Sequence, residues 1–375
     1  MMKRVAIIGA GVTPPRPKTP EVSYKEMTYG VAKQAYREAG ITPQEVQTFV
    51  TCAEDLNEGV SIFDEYTPDQ LGAVQKPMHT ITHDGIVGLG NAFMQIQSGI
   101  ADLVVVEAHS KASNIQTKND ILSYALDPVW TRPLKLNPHF IAGMEMNTFL
   151  NQTGNTEESC AAVAVKNRGC VGKKITLQRV MSSKPTFSPL KELETSDHAD
   201  GAVVLVVASE ERARKSSAKP VWIKGISWVS STSTLESRDW ARAVYAEQAA
   251  KRVFKMAGVG SAKEIDLFEL DDTYAFKELQ HMEAIGLFDP GRAGREVLKA
   301  LEKQGDNWRV NLSGGFLGRG DLLEAKGLYQ VAELISRIRG GKLSGRSSEN
   351  VRTGFALSWR GVPTTSGAAV LLSQN

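Results

Sequence analysis

AGITPQEVQTFV, from Ala39 to Val50, is echoed 218 residues later by AGVGSAKEIDLFEL, from Ala257 to Leu270. Each copy runs Ala-Gly-apolar, then a polar loop, then a strand-like apolar run. A spacing that long marks a duplicated domain, not a solenoid repeat. The segments around the two copies agree. Before the first, Ser23-x-x-Glu26 forms a capping box. Tyr24, Met27, Val31 and Ala35 then recur at steps of three and four, which makes one helix face. Gly40 is placed to end that helix. Before the second copy, Ala241, Val244, Tyr245, Ala249, Val253 and Met256 form a matching stripe. Val5–Ile8 and Val221–Trp228 read as the strands that open the two halves.

A further echo pairs the helical segment Gly85–Gln97, ending at Ser98-Gly99, with Ala325–Arg339, ending at Gly340-Gly341. Alternating strands and helices predict an α/β fold with buried, largely parallel sheets. The expected halves are residues 1–215 and 216–375. The first is interrupted at about 110–198 by an inserted loop domain that carries Pro128, Pro133 and Pro138. A helix is expected within it at 157–170. The charged stretch Glu210–Lys219, closed by Pro220, reads as a linker. Gly9-x-Gly11 has Pro14 where a dinucleotide fingerprint has its third glycine, so a Rossmann reading is rejected.

Composition narrows the partners. The chain has 375 residues, 42% of them hydrophobic, enough for a substantial core. Basic residues number 44 and acidic 42, a net charge of +2, which gives no reason to expect nucleic acid. Cys52, Cys160 and Cys170 are odd in number and form no C-x-x-C pair, which argues for a reducing, cytoplasmic compartment. Lys3 and Arg4 precede an apolar run that Gly9, Gly11 and Pro14 cut too early for a signal peptide. No apolar stretch approaches the ~20 residues of a membrane span. His79 and His83 are spaced H-x-x-x-H without the glutamate of a zincin, and no metal is expected.

Several ordered segments resemble the thiolase superfamily, in particular its archaeal and sterol-carrier-protein types. QSGIADLVVV (Gln97–Val106) is similar to that family's helix end and core strand. Asp200-Gly201-Ala202 resembles its D-G-A strand, and Glu269–Tyr274 resembles E-L-H-D-A-F. Asn311–Gly320 is similar to N-P-S-G-G-L-x-x-x-G. The resemblance implies a duplicated five-layer αβαβα fold and a homodimer or dimer of dimers. It also implies a coenzyme A thioester as substrate or ligand, with no tightly bound cofactor, and a place in lipid metabolism. Members of the family associate with a small zinc-ribbon/OB-fold protein, which the resemblance makes a candidate partner.

The family's catalytic positions are changed here. Its cysteine aligns with Thr82, or with His83 after a one-residue slip. A threonine hydroxyl is a poor nucleophile without an adjacent base, so Thr82 also reads as a helix cap. The family's histidines align with Asp271 and Asp321, and its H-N-x-G motif with Ser358-Trp359-Arg360-Gly361. The three cysteines match none of these positions and read as small buried hydrophobes. One implied activity is a thiolase-like aldolase acting on 3-hydroxyacyl-CoA, which needs a base and an enolate stabiliser but no covalent intermediate. Asp321 is the expected base, Tyr274 or His83 the expected proton relay or donor, and Asp271 a further catalytic carboxylate. Thr82, His139, Met144, Gly314, Gly315, Gly320 and Ser358 are the expected substrate-binding residues. The alternatives are a non-catalytic acyl-CoA or lipid-binding subunit of a thiolase complex, and a relocated Thr82 nucleophile activated by His83. His109 could line the pocket, while His198 reads as part of a polar loop and His281 as surface or core.

Overall fold

A computed structural model describes residues 3–54, 62–115, 118–302, 308–362 and 365–375. Its strands are β1 (Val5–Val12), β2 (Thr48–Cys52), β3 (Met78–Ile81), β4 (Leu103–Lys111), β5 (Pro185–Phe187), β6 (Leu190–Lys191), β7 (Asp200–Ser209), β8 (Val221–Ser230), β9 (Leu267–Leu270), β10 (Thr353–Arg360) and β11 (Ser366–Ser373). The helices that matter here are α1 (Tyr24–Ala39), α2 (Gly85–Ser98), α3 (Pro138–Thr153), α4 (Glu157–Cys170), α5 (Val244–Ala257), α6 (Ala275–Ala284) and α7 (Lys326–Ile338).

The main sheet runs β3-β2-β4-β7-β1-β8-β11-β10-β9. Its centre is a seam, β1 against β8, paired only through Ala6–Trp222 and Ile7–Val221. On either side the order and the strand directions repeat. β2 is parallel to β4, which is antiparallel to β7, which is antiparallel to β1. Likewise β9 is parallel to β10, which is antiparallel to β11, which is antiparallel to β8. The duplication seen in the sequence is therefore a duplication of topology. The expectation of largely parallel sheets is corrected. β7 returns antiparallel after the long insertion, and β10 and β11 are sequential neighbours, so antiparallel pairs dominate.

Alternation along each strand builds the layers. Ala6 and Ile8 face one way and pack with Phe49, Val105 and Val204 beneath α1. Val5 and Ile7 face the other way and pack with Leu89 and Phe93 of α2 and Leu328 and Ile335 of α7. The same central cluster takes Ile223, Ala356 and Val370 from the second half. The outer face of that half, Phe355, Leu357, Ala369 and Leu371, packs beneath α4, α5 and α6. Helix, sheet, two shared helices, sheet, helices: this is the five-layer arrangement.

Local signals account for many element ends. The Ser23/Glu26 capping box is present, and Gly40 ends α1 at φ 68. The insertion carries α3, α4 and the β5–β6 pair. The predicted linker is helical from Glu210 to Lys215, with Arg214–Glu210 and Lys215–Glu211 pairs at i,i+4. Among the described residues no helix is long and apolar enough to cross a membrane.

Candidate active site

One cavity opens where the insertion meets the ends of β9 and β10 and the starts of α2 and α7. The turn after β9 delivers Tyr274, and the glycine turn before α7 delivers Asp321. Residues 195–199 hold both in place. Ser196 N–H donates to the Thr273 carbonyl (2.9 Å), Ala199 N–H to the Asp321 carbonyl (2.9 Å), and Asp321 N–H to the Asp197 carbonyl (2.7 Å). From the insertion, Asn137 caps α3 and accepts the His139 N–H at 2.8 Å. That cap sets His139 against Tyr274, with Tyr274 Oη 3.0 Å from His139 Nδ1. Ile141, Ala142, Leu323, Val362 and Trp359 supply an apolar wall.

The electrostatics are set by carboxylates and their cationic partners. Burial, then the fields of Asp321, Glu145 and Asp271, push the Tyr274 phenol well above its usual range, so it stays neutral. Asp321 Oδ1 accepts the Leu323 N–H at 3.0 Å, and its Oδ2 lies 4.0 Å from His198 Nδ1. Asp84 sits where two helices begin. It accepts the Ile86 N–H of α2 at 2.9 Å and the Gly327 N–H of α7 at 3.1 Å. Burial raises Asp84 to about 6, against the lowering effect of those N–H groups and of Lys326. Lys326 pairs with Asp271 at 2.8 Å. Burial alone would lower its pKa, but Asp271 and Asp321 hold it above the usual lysine value. At the rim, Arg360 is bonded to Glu54. Behind the wall, the buried Lys277 is bonded to Glu145 and lies 4.2 Å from the Trp359 ring centroid.

Comparison with known proteins places this architecture. The profile of the family "Thiolase C-terminal domain-like" matches residues 227–373. The acetyl-CoA acetyltransferase of Methanothermobacter thermautotrophicus is 26% identical over 90% of this chain and 92% of its own length. Sterol carrier protein 2 of Gallus gallus is 26% identical over 92% of this chain and 67% of its own. Among solved structures, the Ltp2-ChsH2(DUF35) aldolase superposes with a TM-score of 0.81 at 21% identity, covering 99% of this chain and 98% of that one. Human mitochondrial 3-ketoacyl-CoA thiolase in complex with CoA gives 0.78 at 16%, covering 100% and 98%. Residues 227–373 match the thiolase C-terminal family, and the chain as a whole has the thiolase fold.

Of the residues named from the sequence, Asp321, Tyr274 and His139 line the cavity. Other anticipated residues stand elsewhere. Asp271 lies behind the wall, fully buried, accepting the Trp359 and Thr273 N–H groups at 3.0 Å each. His83 does not line the cavity. Its Nδ1 accepts the Asp84 N–H at 2.8 Å, its Nε2 meets Ser366 Oγ at 3.1 Å, and burial lowers it to about 4. Thr82 is exposed and does not cap α2, because Asp84 does. Met144 is 45% exposed on α3 and outside the cavity. Ser358 is buried beside Asp84. Gly314, Gly315 and Gly320 hold φ of 101, 57 and 106, and the space a Cβ would need is filled by Val171, Asp272 and Ala199. These glycines admit neighbouring protein, not a cavity ligand.

Cys52 and Cys160 are buried, and burial raises both thiols well above the usual value; Cys170 is partly buried and also raised. None of the three lines the cavity. His109 is buried, its Nδ1 2.8 Å from Glu107. His198, read as loop, is a cavity residue. Sequence reasoning also missed Asp84 and Lys326. An aspartate directly before a helix is a recognisable cap signal, whereas Lys326 had none.

Proposed function

We propose that this chain is a thiolase-like carbon–carbon lyase that cleaves 3-hydroxyacyl-CoA thioesters by retro-aldol chemistry. The observation that carries the reading is the convergence, in one largely apolar cavity without a cysteine, of the Asp321 carboxylate and the Tyr274–His139 pair. A carboxylate and a neutral phenol are what the reaction needs. Asp321 takes the proton of the 3-hydroxyl group. The C3–O bond becomes a carbonyl as the C2–C3 bond breaks, and its electron pair forms the thioester enolate. Tyr274 delivers a proton to C2, and its own proton is restored from Asp321 through His139 or water. The products are a ketone or aldehyde and a shortened acyl-CoA, and no acyl-enzyme forms.

The TM-score of 0.81 to a structure titled an aldolase supports the fold's capacity for this use. The Ltp2-ChsH2(DUF35) aldolase includes a DUF35 component by name, and we take a small partner of that kind as the subunit to co-express. The test is mass spectrometry of 3-hydroxyacyl-CoA and 3-oxoacyl-CoA panels with and without that partner. Carbonyl release from the 3-hydroxy substrates is expected. Asp321→Asn or Tyr274→Phe should each lower turnover by about 10²–10⁴-fold. Thiolysis of 3-oxoacyl-CoA by free CoA, unaffected by Asp321→Asn, would refute the reading.

A further inference from the structure

Carbon–carbon cleavage leaves negative charge on the thioester oxygen, and something in the cavity must meet it. Arg360 is committed to Glu54 at the rim. Arg238 donates to the Gly361 carbonyl at 3.1 Å. Lys326 is different. It is the first residue of α7, where the helix dipole disfavours a cation. It is also largely buried, at 9% exposure, which costs a charged group solvation. Both penalties are met by acidic neighbours: Asp271 at 2.8 Å, and the fields of Asp321 and Asp84. An ammonium group carries three donors. Asp271 takes one, and Thr273 Oγ1 lies at 3.5 Å, which leaves an N–H for a ligand on the same cavity wall as Tyr274 and Asp321. Phe316 and Trp359, with centroids 5.7 and 5.9 Å from Nζ, keep the surroundings apolar and strengthen its field.

We propose that Lys326 is the electrophilic residue of this site, donating to the thioester oxygen as the enolate forms, and that Asp271 is a positioning residue that holds its ammonium in place. The assignment rests on the retro-aldol reading in so far as both require an enolate. Charge balances within the step: the C2–C3 electron pair becomes the C1=C2 bond, the thioester oxygen takes the negative charge opposite Lys326, and protonation at C2 by Tyr274 discharges it.

Enolate formation can be measured without cleavage. In D2O, the full-length protein with its partner should exchange the C2 hydrogens of a shortened acyl-CoA, read by mass spectrometry. Lys326→Met should slow this exchange by about 100-fold or more, the usual loss of an oxyanion donor, while thioester affinity stays nearly unchanged. Lys326→Arg should restore part of the rate. Because Lys326→Met strands buried carboxylates, the double variant Lys326→Met/Asp271→Asn is included. It should recover thermal stability but not exchange. Exchange at the wild-type rate in Lys326→Met, or full recovery in the double variant, overturns the assignment in favour of a purely structural ion pair. Exchange in the wild type without cleavage of any 3-hydroxyacyl-CoA leaves Lys326 assigned and removes the aldolase reading. Neither reaction in the wild type removes both.

Discussion

At the residue scale, burial and partnership decide which groups can take part in proton transfer. His281 shows the effect most clearly. It is fully buried, with Nε2 2.9 Å from Tyr245 Oη and Nδ1 3.0 Å from the Asp271 carbonyl. Burial, with Lys277 adding to it, lowers its pKa from 6.5 to about 3. The unfolded chain therefore binds a proton at this residue below pH 6.5 that the folded chain refuses until about 3, so stability at His281 is lost as pH falls through that window. Asp272 works in the opposite sense. Burial, then Glu278, raises it from 3.8 to about 7, so the folded state takes a proton first and gains stability as pH falls between those values. The two partly cancel in the whole protein, and a variant comparison separates them. The stability gap between wild type and His281→Gln, from urea melts, should shrink by about 1.4 kcal/mol per pH unit below 6.5. A gap independent of pH would contradict the neutral buried imidazole. At this scale the sequence was readable where a motif fixed a place. Tyr274 and Asp321 follow from the strand-end and glycine-turn segments. Lys326 carried no local signal, and the cap signal of Asp84 says nothing of its second bond, to the Gly327 N–H across 243 residues of chain.

At the element scale, the cavity depends on how two helices begin. Asp84 bonds the first turns of α2 and α7 together, each oxygen serving a different helix. Asp84→Ala removes both bonds and leaves buried N–H groups unmatched, a loss of about 2–4 kcal/mol. A denaturant melt that moves by less than about 1 kcal/mol would show that solvent replaces the carboxylate. Element ends were legible wherever a local signal marks them, as with Ser23 and Gly40 at α1 or Asn137-Pro138 at α3. Strand direction was not. The pairing of β7 with β4 and β1 depends on how the chain returns from a long insertion, and periodicity within Asp200–Ser209 carries no information on that. Nor did the sequence distinguish glycines that face a ligand from glycines that face protein. Gly314, Gly315 and Gly320 have positive φ in either case, and only the packing of Val171, Asp272 and Ala199 against them decides it.

At the scale of the whole molecule, the two halves share one interior more than one sheet. Their strands touch through two residue pairs, whereas α2 and α7 pack against both halves in a single cluster. Leu328 is central to it, fully buried and packed on Gly85 at the start of α2. Leu328→Ala should cost about 2–5 kcal/mol and leave unfolding a single transition. Two resolved transitions would mean that the halves are stable separately. The duplication was legible from Ala39–Val50 and Ala257–Leu270 because each half keeps its own helix–loop–strand grammar. The cavity was legible only in part, because its walls are drawn from both halves and from the insertion. The account's central claim is cleavage between C2 and C3, and it is tested most directly with a 3-hydroxyacyl-CoA carrying ¹³C at C3, followed by NMR in the presence of the protein and its partner. The account predicts that the label leaves as a free aldehyde or ketone carbonyl without added CoA. A label that remains in the thioester, or that leaves only as a second thioester when free CoA is supplied, would contradict it.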